Sequence, residues 1–187
     1  MKSIISLATG EPWPLAYDPI AVDFRALGRH LAARPWMFGM MHPDYSYADH
    51  LINLAAVAPR PLRLDALLIH AHMALTESPL LIATTDQEGK AKTTIMRAPF
   101  PETVLTSLKS SIRHAAELHD QMPKAIEDHL WDLEKLLTAS EMHQLKHRRG
   151  MPDKDKIHPR TKEVAAAEWA DQVEQRIPRI MAMREAG

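Results

Sequence analysis

Proline sets the main limit on what this chain can fold into: it carries fourteen prolines against six glycines. A proline removes a backbone donor and clashes with the preceding turn, so it ends or kinks a helix and is barred from a central strand. Helices separated by proline stops fit that balance. A β-sandwich would need more glycine-bearing turns.

Read between these stops, the chain is largely helical. Asp18 and Pro19 form an N-cap and first-turn pair, and Ile20, Phe24, Leu27 and Leu31 follow on one face, which predicts a helix to Ala33. Pro35 and Pro43 enclose a connecting loop whose Trp36, Met37, Phe38, Met40 and Met41 are expected to cover a core edge. Ser46 and Asp49 have capping-box spacing and open a second helix that ends by Ala58. A third is expected from Leu62 to Thr76, with His70 and His72 as satisfied residues at the edges of its apolar stripe.

Two β-branched runs, 80–85 and 91–96, flank a short loop containing Gly89 and predict a hairpin. A lone hairpin is marginal in water, so Ser3–Ala8 is the candidate third strand. Beyond Pro101, Val104, Leu108, Ile112, Ala115 and Met122 form one stripe, and Pro123 either kinks that helix or starts a new one. Ile126, Leu130, Leu133 and Leu137 recur in 123–149, which ends on Lys146, His147, Arg148, Arg149 and Gly150. Thr161 caps a last helix, with Trp169, Val173, Ile177 and Ile180 on one face and Pro178 at its end. The expected fold is mainly α (α+β): six to seven helices with one small β-hairpin or three-stranded sheet. It forms a single domain over 1–187, with 1–100 carrying the hairpin and 101–187 the long helices.

Composition narrows the function. With no cysteine, disulfides, thiolate catalysis and cysteine-type metal sites are excluded. No apolar run approaches the roughly 20 residues of a membrane span, and the first residues are too short a run for a secretory signal, so a cytoplasmic location and no membrane partner are expected. A formal charge of −1 gives no global field. Charge is nevertheless segregated: residues 102–141 carry eight Asp or Glu and four Lys or Arg, whereas 146–162 carry seven Lys or Arg and two Asp.

That segregation suggests a surface built to meet a partner or an ion, and three candidate sites stand out along the chain. His143 and His147 lie one helical turn apart, the spacing of paired ligands for a divalent metal, with His158, Asp153 or Asp155 in the loop beyond as the candidate third. No glutamate adjoins His143 as in the metalloprotease helix motif, and the plain alternative is two histidines complementing a helix C-terminus. Lys146, Arg148, Arg149, Lys154, Lys156, Arg160 and Lys162 suit phosphates of a nucleic acid or an acidic partner, although no aromatic residue is interleaved for base stacking. Trp169, Val173, Ile177 and Ile180 form a face that is either core or protein interface.

Other residues sort by helical angle. His119 falls within the apolar stripe and is expected to be partly buried; His114 points away into solvent. His129 shares a face with Leu136 and His143, but lies about 27 Å from His147 along a helix, so these histidines form a surface, pH-sensitive at most, and not one centre. Glu127, Asp128, Asp132 and Glu134 read as a solvated carboxylate face. No nucleophile elbow, phosphate loop or dinucleotide fingerprint is present. The expectation is a non-enzymatic binding or regulatory protein, acting through a protein partner or as a homo-oligomer without a cofactor. A nucleic-acid-associated protein comes next, then a metal-binding protein or metal-dependent enzyme at His143/His147.

Overall fold

The computed structural model describes residues 4–6, 12–14, 22–39, 42–76, 80–85, 91–96, 102–146 and 158–178. The fold is mainly helical. The described helices are α1 (Phe24–Ala32), α2 (Tyr47–Val57), α3 (Arg63–Leu68), α4 (Met73–Thr76), α5 (Glu102–Ala115), α6 (Lys124–Lys146) and α7 (Lys162–Glu174). Short extended backbone segments β1 (Ile4–Ser6), β2 (Pro12–Pro14), β3 (Leu80–Thr85) and β4 (Ala91–Met96) run antiparallel in the order β2-β1-β3-β4. Ile5 lies opposite both Trp13 and Ile82, and Ile82 opposite Thr94. Among the described residues no helix is long and apolar enough to cross a membrane.

Contacts divide the chain into two compact units: residues 1–23 with 71–121, and residues 24–70 with 122–187. In the first, Leu108 and Ile112 of α5 and Ala116 just beyond it are buried. This helix ends in a Schellman-type turn, with Leu118 N–H donating to Arg113 C=O and Glu117 N–H to His114 C=O. Glu117 takes the left-handed position usually given to glycine, at φ 58°. The expected stripe therefore stops before His119, which is exposed instead of partly buried. Arg113 Nε donates to the His119 carbonyl at 2.8 Å and fixes the turn. His114 is exposed as expected and lies 3.0 Å from Asp120.

In the second unit α1 packs against α7, and α2 against α3, α6 and α7. Leu27, Leu31, Leu51, Leu54, Leu67, Trp169, Val173 and Ile177 are its buried core. Trp169 Nε1 donates to Leu67 C=O at 3.1 Å, which satisfies its one polar atom inside that core. Gly28 lets α1 approach closely: a Cβ there would stand 2.7 Å from Ala166 O.

Local signals explain several boundaries. The Ser46 hydroxyl accepts from Asp49 N–H, and the Asp49 side chain accepts from Ser46 N–H, so α2 opens with a reciprocal capping box. Thr161 caps α7 by accepting from Val164 N–H. Pro123 starts α6 instead of kinking a longer helix, its carbonyl accepting from Ile126 and Glu127. The expected helix over 62–76 is broken: α3 ends at Leu68, a turn spans Ile69–His72, and α4 is a single turn. Asp18 and Pro19, the expected cap of α1, lie outside the described residues, and α1 begins at Phe24.

Candidate functional site

The second unit holds a buried cluster of ionisable side chains drawn from separate segments. α2 contributes His50 and Asn53, and Tyr45 comes from the segment just before it. The backbone brings Trp36 alongside: Trp36 N–H donates to Tyr45 C=O at 2.7 Å and Tyr47 N–H to Arg34 C=O at 2.9 Å. Met37 and Gly39, at φ 47° and 74°, take left-handed backbone within the short helix Trp36–Gly39. The turn after α3 contributes His70. α6 contributes Glu134 and Glu141, seven residues and two turns apart, on the same face as the buried Leu130 and Leu145.

Glu141 and His50 are both 0% exposed. Tyr45 Oη donates to Glu141 Oε1, and Asn53 Nδ2 donates to Tyr45 Oη at 2.8 Å. His50 Nδ1 lies 2.8 Å from Glu141 Oε2, a contact that places its proton toward the carboxylate. On the other edge of the ring, His50 Nε2 lies 3.6 Å from Glu134 Oε1, an ion-pair distance too long for a hydrogen bond. The same Glu134 oxygen is 2.9 Å from His70 Nε2. The Trp36 ring stacks on the His50 ring at 3.8 Å between centroids and 9° between planes. Trp131 of α6 meets His70 edge-on at 5.7 Å.

Every neighbour of His50 thus favours its charged form. Burial disfavours an imidazolium, but the carboxylates of Glu134 and Glu141 outweigh it and raise the His50 pKa above 6.5. The Trp36 face adds cation–π attraction. Glu134 shows the reciprocal effect: burial pushes its carboxyl up, yet His50 and His70 pull it down to about 2. Tyr45 is driven upward by burial and by Glu141, so its hydroxyl keeps its proton, donating to Glu141 and accepting from Asn53. Among the described residues, His50 Nε2, Glu134 Oε2 and Trp36 Nε1 are buried without a hydrogen-bond partner. A histidine held as a cation between two carboxylates is a poor general base. The cluster's chemistry is ion pairing across a helix interface.

Beside it, Asp49 is saturated. It accepts from Ser46 and, through Oδ1, from Arg160 N at 3.3 Å and Arg160 Nη1 at 3.2 Å. Arg160 also reaches Glu168 at 2.7 Å.

The sites expected from sequence fare differently. Of the basic set, Arg160 is spent on Asp49 and Glu168, and Lys162 is exposed at the start of α7. Lys146 closes α6, and Arg148, Arg149, Lys154 and Lys156 lie outside the described residues. His143 and His158 are exposed, and His147 lies outside the described residues. Among the described residues no group of three or more His, Asp or Glu is placed to hold a metal ion. Trp169, Val173 and Ile177 are interior, so the face they form is core of this unit and no surface for a partner; Ile180 lies outside the described residues.

Sequence reasoning missed Glu134, Glu141, His50 and Tyr45, and placed Glu134 on a solvated face. One signal was present. Glu134 and Glu141 interrupt the stripe running through Leu130, Leu137 and Leu145, and a carboxylate inside an apolar stripe calls for a buried partner.

Neither models of known protein families nor curated proteins provide a match to this chain.

Proposed function

We propose that this is a non-enzymatic binding or regulatory protein that works through protein–protein contacts, with the outward side of α6 as the contact surface. The supporting observation is the exposure of Leu136, at 71%, and Trp131, at 43%, on a helix whose remaining outer positions are mostly polar. Leu136 shares the outermost face with His129 and His143, while Trp131 borders the buried seam. Large aromatic and aliphatic groups of this kind anchor interfaces once a partner removes them from water. The occupant is a second copy of this chain or another protein. A cytoplasmic setting without a cofactor belongs to the same reading. So does a distinct β-hairpin at 80–96 with Ser3–Ala8 as its third strand.

Sedimentation of the wild-type chain and of Leu136→Glu, with recovery of bound proteins from the native host, tests it. Self-association, or a specific co-purifying protein, lost in the variant while its helicity is retained, is the expected result. A wild-type monomer whose bound proteins match those of the variant would refute the reading.

A further inference from the structure

The seam by which α6 meets α2 carries charge at its centre. Leu130 and Leu145 are buried apolar residues of α6, and between them stand Glu134 and Glu141. Facing these carboxylates are His50 of α2, His70 from the turn after α3, and the Tyr45 hydroxyl. The remaining charged pair near α2, Asp49 with Arg160, is satisfied within itself and with Glu168. His50 is therefore the fully buried imidazole set between the two carboxylates, with Trp36 stacked on its face.

We propose that docking of α6 on α2 is a proton-controlled latch, closed while His50 carries both ring protons and released when one is lost. Neutral His50 can still offer one N–H, but it no longer supplies the counter-charge that two ionised carboxylates need away from water. Glu141 is then left with Tyr45 and a neutral ring, and Glu134 with His70. The sign follows from linkage. A histidine whose pKa is raised on folding stabilises the docked form fully below 6.5, and that stabilisation is lost as pH rises through the raised value. Acid acts instead on Glu134 and needs far lower pH, because its carboxyl stays ionised down to about 2. The latch opens on the alkaline side.

The inference does not rest on α6 being a contact surface, and its test reads helix position, not association. Because the chain has no cysteine, Ala56→Cys on α2 and Lys135→Cys on α6, both at exposed positions, accept a pair of spin labels directly. The expected result is one short distance at about pH 6 and a growing longer population toward about pH 10. One linked proton changes the docked-to-released ratio about tenfold per pH unit between 6.5 and the raised His50 value. The midpoint of release should track the His50 Cε1–H resonance in the same sample. His50→Gln, which cannot carry the charge, should flatten the pH dependence.

Several results would overturn the latch. They are an unchanged distance while the His50 resonance titrates, equal release in His50→Gln, or a His50 that stays protonated until the whole chain unfolds. If His50→Gln does not fold, the coincidence or mismatch of the two wild-type midpoints decides.

Discussion

Replacing Glu141 by alanine removes the carboxylate on which Tyr45 and His50 converge, and the structure sets the scale of the loss. Glu141 is wholly buried, His50 Nδ1 is 2.8 Å from its Oε2, and Tyr45 donates to its Oε1. Alanine leaves an imidazolium facing only Glu134 at 3.6 Å and a buried hydroxyl with nothing to accept its proton. Breaking a buried ion pair by removing one partner costs about 3–5 kcal/mol. Against a typical total of roughly 5–15 kcal/mol, that is a large share of the fold's stability. Urea unfolding followed by tryptophan emission is a direct assay, since Trp36 and Trp169 are buried in the same unit as the cluster. Glu141→Gln keeps the shape and one acceptor, so it should cost less, about 1–3 kcal/mol. Glu141→Leu should cost about as much as alanine, because in both the imidazolium keeps only Glu134 and the Tyr45 hydroxyl loses its acceptor. Removing both charges with His50→Leu and Glu141→Leu should cost less than the two single losses added together. A loss under about 1 kcal/mol for Glu141→Ala, or strict additivity in the double variant, would refute the argument that ion pairing holds α6 on α2.

Two further outcomes follow from the same geometry. Gly28→Ala gains about 1 kcal/mol of helix propensity, but its Cβ would lie 2.7 Å from Ala166 O and 3.2 Å from Trp169 Cε3. Because the nearest atom is backbone, α1 and α7 must separate, and overpacking of that kind costs about 1–3 kcal/mol; a lowered melting temperature is expected, and a raised one would contradict it. On the acid side, a Glu134 carboxyl lowered from 4.5 to about 2 contributes about 3 kcal/mol above pH 4.5, lost as pH falls toward 2. Glu134→Gln should flatten that limb of the stability curve, measured by denaturation at stepped pH.

The elements legible in the sequence are those whose cause is local. Ser46 with Asp49 and Thr161 with Val164 cap their helices within a few residues, and Pro123 stops one helix and starts the next. The face of Trp169, Val173 and Ile177 is apolar enough to demand burial, though only the fold decides that α1 and α3 cover it instead of a partner. His119 was misplaced because Glu117 adopts a left-handed turn that residue type does not announce. The cluster was illegible for a different reason. His50 and Glu141 are 91 residues apart in the chain, and nothing near either one identifies the other. Glu134 sits among other acids of α6, so its neighbours in sequence suggest solvent while its partners in space are the imidazoles of His50 and His70.

The most direct test of a cation held inside the seam between α2 and α6 is a titration of His50 by NMR in the intact chain. A value above the ordinary 6.5, falling when Glu141 is changed to glutamine, is the expected result. A His50 that titrates at or below 6.5, or is indifferent to Glu141, would contradict it.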